Sequence, residues 1–247
     1  MRAWKEIAAG TYSALKKKDY SNALELAQAA LSRFARVPNP EFTEYFASAA
    51  THAWLTNEHF AEGIAYFTDQ QTLHPNFPWA YYGRAVLCWY DGQIERAVAD
   101  FQKTLQLNPE EPGAHLGLGQ LYADLGDADA AMKHLDALLI ALVKMPHNER
   151  DDLQKWRHDV EAYARNGRGV AFAARGNLTA SLAEFEKSIL LCPENGWVYF
   201  NRARVLEANG RPRDAMRDYQ TALEQRDPAL TPKKRDYASA KIREMIP

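Results

Sequence analysis

The chain has 247 residues, enough for one or two ordinary domains or one repeat array; 47% are hydrophobic and 25% charged, which excludes a disordered tail. A formal net charge of −2 gives no general drive toward nucleic acid or an anionic membrane. The only two cysteines, Cys88 and Cys192, lack CxxC spacing, so neither a disulfide framework nor a structural zinc site is expected.

From Trp4 to Val37 the pattern predicts two amphipathic helices. Ile7, Gly10, Thr11 and Ala14 share a face of the first, Asp19-Tyr20 marks a turn, and Ala23, Ala27 and Ala30 share a face of the second. The opening MRAWKEIAAG lacks the apolar run of a signal peptide. A linker of six residues, 38–43, follows; Pro38 and Pro40 enforce it, because proline lacks the helical donor and restricts the residue before it.

Glu44 to Phe77 repeats the helix pair: Ala47, Ala50, Thr51 and Trp54 inward on one helix, Gly63, Phe67 and Leu73 on the next, and Pro75 as the stop. The pattern returns 34 residues later, from Pro78 to Glu111. Here Tyr81, Arg84, Ala85 and Cys88 precede the turn Asp91-Gly92; Ala97, Phe101, Thr104, Leu105 and Leu107 follow, and Asn108-Pro109 ends the unit. Pro112 to Met145 keeps the same register, with Leu118, Gly119 and Tyr122, the turn Leu125-Gly126-Asp127, then Ala131, Leu135 and Leu138.

After Met145 the period breaks. Pro146-His147-Asn148 is a stop signal, with Asn148 as N-cap of a new helix. Leu153, Trp156, Val160 and Tyr163 fall at helical spacing, and the insertion, 146–161, is expected to run on into the next unit as one helix from about Glu149 to Arg175. That unit, 162–195, turns at Arg175-Gly176-Asn177 and continues with Ser181, Phe185, Ser188, Leu191 and Pro193. The last unit, 196–228, carries Tyr199, Arg202, Ala203 and Leu206, the turn Asn209-Gly210, then Ala215, Tyr219 and Ala222. Thr231-Pro232 starts a terminal helix, 231–246, that gives the array a polar cap.

Small residues recur in the middle of first helices (Thr51, Ala85, Gly119, Gly169, Ala203) and early in second helices (Ala23, Ala97, Ala131, Ala215). Larger ones follow one turn later (Phe67, Phe101, Leu135, Phe185, Tyr219), and Pro75, Pro109 and Pro193 close units. Small residues let helices approach closely while large ones fill the space between neighbouring pairs. On these residues the chain resembles tetratricopeptide repeat proteins over nearly its whole length. The departures are Gly63 and Ser181 where alanine is usual, a weak first unit, and the insertion. The resemblance implies an all-α fold: a right-handed superhelical array of antiparallel helix pairs, about six repeats plus a C-terminal capping helix, in a single domain over 1–247.

No motif carries a reaction mechanism, so a non-catalytic protein is expected, without cofactor or metal. Gly117-Leu118-Gly119 and Gly167-Arg168-Gly169 lie inside predicted helices, follow no strand and lack a Lys-Ser/Thr pair. The seven histidines form no HExxH and no pair at i,i+4. The richest apolar run, Leu138 to Val143, is far short of the ~20 residues that cross a bilayer. A soluble, cytoplasmic protein is expected, with another protein as partner, no nucleic acid and no membrane.

In proteins of this resemblance, first helices line a concave groove that holds an extended peptide or a partner helix. The matching positions include Tyr45 and His52; Trp79, Tyr82, Val86, Trp89 and Tyr90; Gln120; and Trp197, Phe200 and Arg204. Aromatic density is greatest at Trp79, Tyr82, Trp89 and Tyr90, which read either as filling between units or as a ligand-facing patch. The clamp with which some relatives grip a C-terminal carboxylate is absent, since its places hold Ala8, Tyr12, Ala49, Trp79 and Gly83. The adaptor reading competes with a structural subunit, or a self-associating array, using the convex side and the helices at Leu135–Met145 and Leu153–Val160.

Overall fold

The computed structural model describes residues 2–34, 40–144, 151–225 and 230–245, with side chains described except at 2–5, 33–34, 40–45 and 151–153. The expected breaks at Pro38 and at Pro146-His147-Asn148, and the end of the last unit near Asp227-Pro228, lie outside the described residues. Thirteen helices and no strand are found among the described residues. They are α1 (Arg2–Lys16) and α2 (Tyr20–Phe34), α3 (Pro40–Thr56) and α4 (Phe60–Leu73), and α5 (Pro78–Tyr90) and α6 (Ile94–Leu107). Then come α7 (Pro112–Asp124) and α8 (Ala128–Lys144), α9 (Asp151–Ala174) and α10 (Leu178–Leu191), α11 (Gly196–Ala208) and α12 (Pro212–Glu224), and α13 (Pro232–Met245). From Asp151 on, the inserted sequence and the first helix of the next unit form one uninterrupted element, α9, of 24 residues.

Each helix pair reverses through one left-handed residue. These are Lys18, Glu58, Gly92, Gly126, Gly176 and Gly210, in steps of 40, 34, 34, 50 and 34 residues. The two long steps contain the linker and the insertion, so the repeat register survives both. At each reversal the next residue's N–H closes a wide turn onto the first helix, as from Gln93 to Cys88 (2.8 Å) and from Asp127 to Tyr122 (2.9 Å). Glycine meets the left-handed requirement at four sites; at Lys18 and Glu58 an L-side chain crowds the following carbonyl. Among the second helices, α8 and α10 are then capped by side chains: Asp127 accepts from Ala130 N–H (3.0 Å) and Asn177 from Ala180 N–H (3.1 Å), whereas α4, α6 and α12 have no side-chain cap.

The chain forms two compact units, Met1–Ala114 and His115–Pro247. In the first, Phe46, Trp54, Phe67, Leu87 and Phe101 are fully buried. Trp54, Tyr66 and Phe67 meet at centroid distances of 5.2–5.6 Å. In the second, Leu121, Leu135, Leu138, Leu142, Phe185 and Tyr219 are the large buried side chains. The expected small–large complementarity is explicit: a side chain at Gly169 would bring its Cβ within 2.6 Å of Phe185.

Both departures from the repeat pattern have reasons. A Cβ at Gly63 would collide with Leu87 and Trp54. Ser181, fully buried, donates its hydroxyl to the Gly169 carbonyl at 2.7 Å, which an alanine could not do. At the C-terminal end, Thr231 accepts from Lys234 N–H (3.4 Å), the capping role expected of it.

Candidate functional site

In the first unit the expected groove aromatics are largely engaged by the chain itself. Trp79 packs edge-on against Tyr82 (5.4 Å), and Tyr82 against Phe101 (5.9 Å). Trp89 meets both Phe101 (6.4 Å) and Tyr90 (5.8 Å). Burial, then the nearby Glu111 and Tyr90, push the Tyr82 phenol well above its ordinary range, so it stays neutral. Trp79, Tyr82, Val86 and Trp89 are half-buried, and Tyr90 is 43% exposed. His52 stands edge-on to Tyr20 (5.6 Å), and partial burial lowers its proton affinity. The Tyr45 side chain lies outside the described residues.

The second unit corrects three expectations of groove exposure. Gln120 (4% exposed), Trp197 (6%) and Phe200 (4%) are buried. α13 explains two of them: Lys234 lies 4.5 Å over the Trp197 ring, and Tyr237 packs edge-on against Phe200 at 5.9 Å. Tyr163 and Tyr219 close the remaining sides of these two rings. Arg204 is exposed.

What the second unit assembles instead is a set of buried amides on three first helices. Asn201 of α11 donates its Nδ2 to Oδ1 of Asn166 on α9 at 3.1 Å. Gln120 of α7 lies with its Cγ beside Gly167. Asn166 Nδ2 and Gln120 Nε2 are buried without a partner among the described residues. An unpaired buried donor costs about 1–3 kcal/mol, so two in one region call for acceptors.

Beside Asn201 opens a cleft of about 620 Å³. Val170, Ala173 and Val205 supply apolar walls, while Arg204, Glu207 and Tyr237 supply polar ones. Glu207 is taken, since it accepts from Tyr219 (2.9 Å) and pairs with Lys241 (2.9 Å). Nearby, burial raises the Asp124 carboxyl, and the positive charges of Lys234 and Arg204 counter it.

Sequence reasoning missed a second recurrent feature, a charged pair between the two helices of a repeat. Arg84 grips Asp100 with two bonds (2.6 and 2.8 Å), and Arg202 grips Asp218 in the same way. Arg168 and Arg165 both reach Glu184, at 3.4 and 3.3 Å. The signal was an arginine followed by an acid at a fixed separation of 16 residues, as in Arg84–Asp100 and Arg202–Asp218. Among the described residues no cluster of three or more His, Cys, Asp or Glu is placed to hold a metal. Nor is any helix among them long and apolar enough to cross a membrane. Both cysteines are buried and free.

Two family models described as tetratricopeptide repeat match the chain, at residues 89–144 and 184–224. Over those residues the helix pairs are tetratricopeptide repeats. Among solved structures, a tetratricopeptide repeat protein from Parabacteroides merdae is similar over 99% of this chain and 93% of its own, with a TM-score of 0.61 and 20% identity. The Cut9-Hcn1 hetero-tetramer of APC/C has a chain that is similar over 99% of this one and 43% of its own, with a TM-score of 0.73 and 17% identity. At these identities the likeness is one of fold. Cellulose synthase operon protein C of Pseudomonas fluorescens (strain SBW25) is 29% identical over 147 residues, 59% of this chain. The match spans 11% of that relative's length. The tetratricopeptide fold is in general a scaffold for protein interactions and is generally non-catalytic.

Proposed function

We propose that this tetratricopeptide protein is an adaptor that holds an extended peptide segment of a partner protein against the first helices of its second unit. The observation that carries this reading is the row of buried amides, with the Gln120 and Asn166 donors unpartnered. An extended peptide presents main-chain carbonyls at regular intervals, the acceptors such donors need once the two side chains, buried in the free chain, turn toward it. The cleft beside Asn201 takes one apolar side chain of the peptide, and the exposed Arg204 favours an acidic group next to it. The aromatic patch of the first unit is the competing location for the same activity.

A peptide-display library selected on the wild-type protein, followed by fluorescence anisotropy of the enriched peptides, tests this. Gln120→Ala/Asn166→Ala should weaken binding at least about tenfold, from two lost hydrogen bonds of about 1 kcal/mol each. Trp79→Ala/Tyr82→Ala should leave it within about twofold. The reverse result places the site on the aromatics; no change in either refutes groove binding as the main activity.

A second reading, a structural subunit, is favoured by Ile140 and Val143 of α8, which are 55% and 76% exposed, and by Trp156 of α9. It expects a dimer or larger species in light scattering at low micromolar concentration that Ile140→Glu/Val143→Glu dissolves.

A further inference from the structure

Three residues before each reversal, the first helix of a repeat carries an apolar side chain: Leu15, Leu55, Trp89, Ala123 and Ala173. The last repeat departs from this, with Glu207 at the same place. One repeat length further on, at 34 residues, stands Lys241 of α13. The two meet. Lys241 Nζ lies 2.9 Å from Glu207 Oε1, and the Tyr219 hydroxyl donates to Glu207 Oε2 at 2.9 Å. A position that is apolar in every other repeat is thus charged in α11 and α13, with opposite signs.

That charge bears on the cleft beside Asn201, whose wall carries two charged side chains, Arg204 and Glu207. Left to themselves they would cancel, and a peptide would meet no net charge there. Lys241 does not line the cleft; it reaches Glu207 from α13, and its second bond goes to the exposed Glu244 at 3.0 Å. Both Glu207 oxygens are therefore engaged, one by an ammonium and one by a phenol, while Arg204 stays exposed. The Asp124 carboxyl of α7 feels both Lys234 and Arg204, so its single charge does not cancel the two.

We infer that Lys241 sets the charge preference of the cleft: by holding Glu207 it leaves Arg204 to select a peptide with an acidic side chain beside the apolar one. The inference rests on the groove reading above. Lys241 is a positioning residue, since it acts through Glu207 and touches no part of the cleft itself. Lys241→Met keeps a long apolar stem and loses the charge. Glu207 then faces the cleft as an anion that offsets Arg204 and attracts a basic side chain.

The test is fluorescence anisotropy of two versions of one peptide enriched in the display selection, with Glu or Lys next to its apolar anchor. Wild type should favour the Glu version about fivefold, the scale of an exposed ion pair. Lys241→Met should bring the ratio to within about twofold of unity or reverse it. Lys241→Arg should keep it, and Glu207→Gln/Lys241→Met should restore it, because the anion is gone. A merely loosened α13 lowers both affinities together and leaves the ratio unchanged. No enriched peptide, or peptides indifferent to Gln120→Ala/Asn166→Ala, would overturn the groove reading and this inference together. Peptides that depend on those amides but keep the wild-type ratio in Lys241→Met, or show no preference in wild type, would overturn this inference alone.

Discussion

The two compact units use the same repeat and hold it together by different means. In the first, rings do the work: Trp54, Tyr66, Phe67, Tyr82, Trp89 and Phe101 interlock, and Arg84–Asp100 is the buried charged pair. In the second, an aliphatic cluster fills the core around α8 and α9, rings gather only at the C-terminal end, and the repeats are tied by Arg168–Glu184, Arg202–Asp218 and the amides of Asn166 and Asn201. The rings leave one buried hydroxyl, that of Tyr66, without a partner among the described residues, whereas the amide row leaves two donors, Gln120 Nε2 and Asn166 Nδ2. On the reading proposed above, the difference separates a unit held mainly by its rings from one whose amide donors would bond a peptide.

The largest effects should come from breaking each unit by its own logic. Phe67→Ala removes a fully buried ring and should cost about 3–5 kcal/mol in chemical denaturation. No single second substitution nearby restores it, because the loss is volume. Asp218→Ala should cost about 2–3 kcal/mol, mostly from the Arg202 charge left unpaired in a largely buried place. The double variant Arg202→Met/Asp218→Leu should return to within about 1 kcal/mol of wild type. If the double variant is as unstable as Asp218→Ala, the arginine–acid pairs contribute more than mutual neutralisation and the comparison fails.

Much of this architecture was legible in the sequence, and the reasons are local. The small–large alternation fixed which faces pack, so Ala23, Ala85, Ala97, Ala131 and Ala203 are all fully buried where the pattern put them. The site was less legible. Trp197 and Phe200 occupy groove-facing repeat positions, but the terminal helix lays Lys234 and Tyr237 over them, a tertiary event that their own spacing does not encode. Asn201 and Asn166 lie 35 residues apart on different helices, so their spacing in the sequence does not mark them as a pair.

A smaller effect separates the units by pH. Burial, then the nearby His115 and Lys133, bring His134 down to about 4 in the folded chain against about 6.5 unfolded, so below 6.5 the unfolded chain binds the additional proton. Stability is therefore constant above that value and falls as pH drops from about 6.5 to 4. The full shift corresponds to about 3 kcal/mol; with the ring half in water, a loss of about 1–2 kcal/mol is expected. Hydrogen exchange at pH 7 and pH 4.5 should show α7 and α8 losing protection, and His134→Gln should remove that component. An unchanged pH response in the variant would assign it to other groups.

The smallest expected effect concerns the reversals, the one feature in which the first unit is the worse built. Lys18 and Glu58 adopt φ of 59° and 57°, where the corresponding reversals of the later repeats use glycine. An L-residue there costs roughly 1–2 kcal/mol from the contact of its Cβ with the next carbonyl, partly offset by the lower entropy of its unfolded chain. Glu58→Gly should therefore stabilise the protein by about 0.5–1 kcal/mol, read as a higher denaturant midpoint at unchanged slope. Gly126→Ala, at the equivalent place in the second unit, meets no neighbour within 4 Å and so measures the backbone cost alone, expected at about 1 kcal/mol in the opposite direction. Opposite signs of similar size at Glu58 and Gly126 would make the reversal one shared device of the array; a neutral Glu58→Gly would mean that the first unit has compensated its strain elsewhere in the α3–α4 turn.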